Sequence, residues 1–140
     1  MFVWKGLLAV YKVNTYKVKV SKLLELGSFF DEDFNLMKNT FTKSEIQARI
    51  ESGDLNSEPC TGLDANYDDV GRIAYLAKNG WSDPIVLDVG MPGLHESTDL
   101  IWDGHHRFAA AVFLDLKEMA VTFSGDIDYF NKLFNINENE

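Results

Sequence analysis

The chain has 140 residues, 46% of them apolar and including ten Phe and three Trp, which suits one filled core and is short for two domains. That composition excludes disorder of the whole, and no run approaches the roughly 18 to 20 uninterrupted apolar residues of a membrane-spanning helix. Net charge is −9, unevenly spread: residues 1–22 hold five lysines and no acid, while residues 23–140 hold eight basic and all 22 acidic residues, net −14. An acidic body of this kind disfavours duplex nucleic acid as a partner, because neutralising the phosphate backbone dominates such binding. The lysine-rich start reads either as a local anion-attracting stripe or as the solvated side of a strand. The apolar run at 6–10 is too short for a signal peptide, and the single Cys60 fits a reducing setting. Both point to the cytoplasm, without membrane attachment.

In chain order, Leu7 to Val20 is β-like, rich in β-branched and aromatic residues, with a break expected at Asn14-Thr15. A short helix is expected from Ser21 to Leu26, stopped by Gly27. Residues 28–66 are mixed: helices are expected over 31–37 and 44–52, the second capped by Thr42 with Glu45 three residues on, and then a polar loop over 54–67. Asp68 or Asp69 caps a helix to Lys78 whose apolar face is Val70, Ile73, Ala74, Leu76 and Ala77, and Asn79-Gly80 ends it. Pro84 to Val89 reads as a buried strand, 90–97 as a loop, and Leu100 to Trp102 as a second strand with Trp102 in the core. Gly104 to Leu114 is an alanine-rich helix, Met119 to Phe123 a strand, and Tyr129 to Phe134 a last helix. Asp126, Asp128, Glu138 and Glu140 are assigned to an acidic tail, and His95 to the surface. The fold class is mixed α/β: one domain, a small mixed sheet flanked by helices.

Chemistry concentrates where the second strand meets the alanine-rich helix, at Asp103-Gly104-His105-His106-Arg107. A helix N-terminus presents about four backbone N–H groups without internal partners, and the peptide dipoles add positive potential there. Gly104 permits a sharp turn and a close approach. Cations beside that dipole are unfavourable on their own, so two imidazoles and a guanidinium in the first turn make sense around a bound anion, with phosphate the best candidate. The plainer reading is that Asp103 caps the helix and the His and Arg side chains face water. A zinc site on Asp103, His105 and His106 is disfavoured, since adjacent histidines diverge on a helix and the cysteine is distant. A Mg²⁺ ion brought by a nucleotide is the more reasonable metal. Trp81 either stacks on a base or covers the edge of the core.

Three segments together resemble the ParB/sulfiredoxin superfamily: RIAYLAKNGWSDPIVL from Arg72, LIWDGHHRFAAA from Leu100, and LKEMAV from Leu116. The resemblance covers about residues 68–124 and, loosely, Tyr16 to Leu26, and leaves 28–66 as an insertion without a counterpart. It implies a turn that binds the phosphates of ATP, ADP or CTP through Gly104, His105, His106 and Arg107. It also implies that the loop containing Gly80, Trp81 and Pro84 lies beside the nucleotide. Sulfiredoxins carry a reactive Cys where this chain has His105, which argues against sulfinic acid reduction. Partition-type members have Gly-Glu-Arg-Arg and a helix-turn-helix domain afterwards, for which sixteen residues past Ser124 leave no room. The His-His form is nearer to branches that hydrolyse ATP or phosphorylate free serine, and to proteins called ParB-like nucleases.

The expected activity is therefore nucleotide hydrolysis or phosphoryl transfer with ATP or CTP and Mg²⁺, with Asp103 and His105 catalytic. In the free-serine kinases the base is a glutamate from an early helix, and Glu25 is the nearest match; Asp83 and Glu32 are further carboxylate candidates. The alternative is a noncatalytic accessory protein, of the kind a phage or mobile element encodes, acting on a protein partner. A nuclease ranks third, given the acidic body.

Overall fold

The computed structural model describes residues 14–26, 42–61, 66–94 and 100–136. The expected strand start at Leu7, the helix over 31–37, Glu32, His95, Glu138 and Glu140 lie outside them. The elements in order are β1 (Tyr16–Lys19), α1 (Val20–Leu26), α2 (Lys43–Ser52), α3 (Asp69–Asn79), β2 (Ile85–Gly90), β3 (Ile101–Asp103), α4 (His105–Phe113), β4 (Glu118–Gly125) and α5 (Ile127–Leu133). Four strands form one mixed sheet in the order β1-β4-β2-β3. β4 runs antiparallel to β1 and parallel to β2, and β2 runs antiparallel to β3. Parallel neighbours need a crossover, and here β3 and α4 together supply it. The mixed α/β class expected from the sequence is the one found.

Strand alternation sorts the sheet into two faces. Val18, Ile85, Leu87, Ile101, Met119 and Val121 are buried on one face, in mutual register. Leu23, Ile46, Ile73, Phe108, the run Ala109–Ala111 and Phe130 bring the helices into the same core. The other face, with Lys17, Lys19, Val86, Asp88, Ala120 and Thr122, is only partly covered. Three consecutive fully buried alanines let α4 lie close against its neighbours, since a methyl group is all that separates the backbones.

The helix ends follow local chemistry. Thr42 Oγ1 accepts from Glu45 N at 3.3 Å, as the sequence predicts, and Gly53 closes α2 in the left-handed region at φ 77°. Asp68 Oδ1 accepts from Gly71 N at 3.0 Å and so caps α3. Asp126 caps α5 by accepting from Tyr129 N at 3.0 Å, and Asp128 sits in its first turn. These two acids were assigned to a tail, and the helix was expected to begin only at Tyr129. The correction has a simple cause: carboxylates at a helix N-terminus accept free amides and complement the dipole. Phe130 then holds α5 to the sheet, stacked on Phe123 at 4.1 Å between centroids and tilted against Tyr16 at 5.0 Å.

Trp102 is not in the core. It is 72% exposed, because β3 is a three-residue edge strand and Trp102 lies on neither the buried face nor under a helix. The segment expected as an insertion does enter the core: α2 packs on α3 and its Ile46 is fully buried. Replacing Ile46 with Ala removes that wedge and is expected to lower the unfolding free energy by about 2–5 kcal/mol in chemical denaturation. Full retention of stability would show that α2 is not part of the cooperative unit.

Candidate functional site

At the end of β3 the chain turns through Gly104 at φ 108°. An added Cβ would lie 2.5 Å from Cγ2 of the buried Ile85. Backbone torsion and packing therefore both demand glycine here. α4 starts at the next residue with Gly104 as its N-cap, without a side-chain cap and without an acid in its first turn. Asp103 does not cap α4; its Oδ2 accepts instead from Arg107 Nη2 at 3.2 Å. The N-termini of α2, α3 and α5 are each closed by a side-chain oxygen, whereas that of α4 is open.

This open end faces a cavity of about 260 Å³ lined by Pro59, Cys60, Arg72, Leu76, Asp103, Gly104, His105, His106 and Arg107. Arg107 is turned inward, with a side chain only 17% exposed. Its Nη1 donates to the carbonyls of Asp83 at 3.1 Å and Pro84 at 2.9 Å, which ties the loop before β2 to the turn. With the bond to Asp103, three of the five guanidinium N–H groups are engaged, leaving two with no partner among the described residues. His106 Nε2 lies 2.6 Å from Asp69 Oδ1 in the first turn of α3, and Tyr67 packs on its ring at 5.5 Å. His105 lines the cavity with its Nε2 buried. The first turns of α3 and α4 thus meet at one place, and Arg72 of α3 adds a second guanidinium to the lining. Arg72 is itself oriented by donating to Ser57 O at 2.9 Å and by lying 5.4 Å over the Tyr75 ring.

Behind the cavity, Arg49 joins α2 to the cap of α3. Its Nη1 donates to Asp68 Oδ1 at 3.0 Å, its Nη2 pairs with Asp68 Oδ2, and its Nε donates to Asp54 O at 2.7 Å. The Arg49 guanidinium holds the Asp68 carboxyl below the ordinary carboxylate range, partial burial opposes this, and the Gly71 N–H adds to the lowering. The same hydrogen bond raises Arg49. Burial pushes the Tyr67 phenol above its usual range.

Asp103, Gly104, His105, His106 and Arg107 are thus brought together. Pro84 and Asp83 touch the site through their carbonyls. Gly80 and Trp81 line a different cavity, with Leu114, Leu116 and Met119, where Trp81 packs against the edge of the core. Glu25 does not join the site. It is 70% exposed, ion-paired with Lys22 at 3.5 Å, on a helix that shares a groove with Val112 and Asp115 at the far end of α4. Eight residue steps of helix, about 12 Å, separate that end from the turn. Sequence reasoning missed Arg72 and Asp69, which reach the site through the packing of α3 on α4, and Cys60, which lines the cavity from the segment between α2 and α3. Among the described residues no three His, Cys, Asp or Glu side chains group as a metal cage, and no helix is long and apolar enough to cross a membrane. No family model, curated protein or solved structure matches this chain.

Two expectations follow from this geometry. Gly104→Ala is expected to lower the unfolding free energy by on the order of 3 kcal/mol, combining left-handed strain with overpacking on Ile85. Gly53→Ala, at positive φ but with nothing within 4 Å of the new Cβ, is the control and should lose about 1 kcal/mol from strain alone. Equal losses in the two variants would remove the packing argument. The second expectation concerns acid. A carboxyl lowered in the folded state contributes stability that is complete above its unfolded value, about 4, and is lost as pH falls through the lower folded value. Asp68→Asn should therefore have a lower melting temperature than the parent near neutral pH, and the gap should close as pH is taken below that value. A gap that stays constant down to the acid limit would contradict the pairing.

Proposed function

We propose that the Asp103–Arg107 turn binds the phosphates of a nucleotide, ATP or CTP with Mg²⁺, and that the site hydrolyses the nucleotide or transfers its terminal phosphoryl group. The observation that carries this reading is the uncapped, acid-free N-terminus of α4 opening into a cavity whose lining includes Arg72 and Arg107. In a chain of net charge −9, cations gathered against a helix dipole favour an anion as the missing partner. The resemblance of the three segments to a nucleotide-binding superfamily points the same way.

Phosphoryl transfer needs charge stabilisation and alignment more than covalent chemistry. In this reading the amides after Gly104 and the guanidinium groups of Arg72 and Arg107 hold the phosphate oxygens. His105 donates to an oxygen of the transferred group, where negative charge builds up. Mg²⁺ would arrive with the phosphates, and Asp103 would be the carboxylate to hold it, since such sites use one or two carboxylates plus substrate oxygens. In this reading Asp103 also orients the attacking water or hydroxyl. A second reading, a nucleotide-responsive module without turnover, is favoured by one contact: Oδ2 of Asp103 is already occupied by Arg107.

Thermal-shift titration with ATP, CTP and inorganic phosphate is the direct test, because a ligand that binds only the folded state raises its melting temperature by mass action. The nucleotides with Mg²⁺ are expected to stabilise the protein, and less so at high salt. Arg72→Gln and Arg107→Gln should each weaken binding about ten-fold or more, as expected for loss of a charge-assisted hydrogen bond. Arg72 is the more telling position, since Arg107 also braces the loop at 83–84. Binding with no release of phosphate would select the second reading, and no shift with any nucleotide at millimolar concentration would end both.

A further inference from the structure

We propose that His106 and Asp69 act as a pair on water: Nδ1 of His106 takes the proton of a water that attacks the terminal phosphorus, while Asp69 holds the ring. The site is then a nucleotide hydrolase and not a phosphotransferase. This rests on the phosphate reading and gives a task to the one side chain of the Asp103–Arg107 turn that the reading leaves without one.

His106 stands in the first turn of α4, and its ring lines the cavity. Asp69 Oδ1 lies 2.6 Å from Nε2, with the two side chains only 21% and 23% exposed. An ionised carboxylate can only accept, so Nε2 carries the hydrogen and the neutral ring keeps its lone pair on Nδ1. That nitrogen has no bonding partner among the described residues, yet it is not sealed from solvent. It is therefore the atom that the ring offers to a ligand. Tyr67 packs on the ring at 5.5 Å and limits its rotation. Asp68 caps α3 in the grip of Arg49, so capping does not claim Asp69. A carboxylate behind an imidazole sets the tautomer and steadies the charge that appears when the other nitrogen takes a proton. Asp103 suits that task less, since Arg107 occupies its Oδ2.

Cavity size selects the nucleophile. At about 260 Å³ the space is smaller than the roughly 300–1,000 Å³ of pockets that enclose a drug-sized molecule. Bound phosphates leave room beside them for water and not for a second organic substrate. As the water oxygen bonds to phosphorus, its proton passes to Nδ1. The bond from phosphorus to the bridging oxygen breaks, and its electron pair leaves with the nucleoside diphosphate. His106 then releases the proton to solvent.

The test uses the full-length chain with ATP and Mg²⁺, measuring affinity by calorimetry and phosphate release for kcat, in the parent, His106→Ala and Asp69→Asn. Circular dichroism checks that each variant is folded. Both variants are expected to keep ATP affinity within a few-fold while kcat falls about 100-fold or more, as for loss of a general base. Added imidazole should restore part of the rate in His106→Ala and none in Asp69→Asn, a difference that a purely structural pair would not show. Unchanged kcat in His106→Ala, or a loss that imidazole does not relieve, would overturn the proton-accepting role. A parent that binds ATP but releases no phosphate would also overturn it and leave the phosphate site standing. If the parent does not bind ATP, the phosphate reading fails and this inference falls with it.

Discussion

The turn from β3 into α4 passes through a space and a backbone conformation that only glycine can occupy. Gly104 combines φ 108° with contact against the buried Ile85, so the strand swings into the helix with no intervening linker. Asp103 therefore sits one position too early to cap the helix, and its carboxylate is drawn to Arg107. The open amides of α4 and the inward guanidinium are two consequences of the same constraint. A longer connection would have let an Asp or Ser settle at the cap position, as happens at α2, α3 and α5.

Holding cations against a helix N-terminus costs energy, and the surrounding structure offsets part of it. Asp69 pairs with His106 across the junction of α3 and α4, and Asp103 with Arg107 along α4 itself. Neither carboxylate occupies the cap, so the backbone amides stay open while the Arg107 charge is partly balanced. Among the described residues Arg72 has no such carboxylate partner; a carbonyl and an aromatic ring orient it. It contributes the least compensated charge to the cavity wall. The site is thus assembled from two helices and one edge strand whose relative positions depend on the alanine face of α4 and on the Arg49–Asp68 clasp behind α3.

Much of this was legible in the sequence because it is local. Caps at Thr42 and Asp68, the stops at Gly53 and Gly80, and the strand–Gly–helix turn are fixed by residues within a few positions of one another. The motif was found for the same reason. What escaped was tertiary. Arg72 looked like any polar position on an amphipathic helix, and only the packing of α3 on α4 gives it a cavity to line; Cys60 looked like a residue in a loop, and only the tertiary fold brings that loop to the same cavity. Glu25 was carried by resemblance to an early helix, but that helix lies at the far end of α4. Trp102 was misread because an apolar residue in a short strand is ordinarily buried, and neither the edge position nor the extra residue opposite Val86 leaves a sequence signal.

The misreading of Trp102 and the reading of the motif are connected by geometry. A bulge lengthens β3 by one residue relative to β2, and without it Asp103 would fall on the same side as Ile101, pointed into the core. A carboxylate there would be buried without water, a cost of several kcal/mol that the fold avoids by shifting the register. The shift that keeps Asp103 out of the core also carries Trp102 onto the open face of the sheet. Exposure of the indole is thus the structural counterpart of a usable carboxylate, and the two residues share a side of the sheet because one departure from regular pairing serves both.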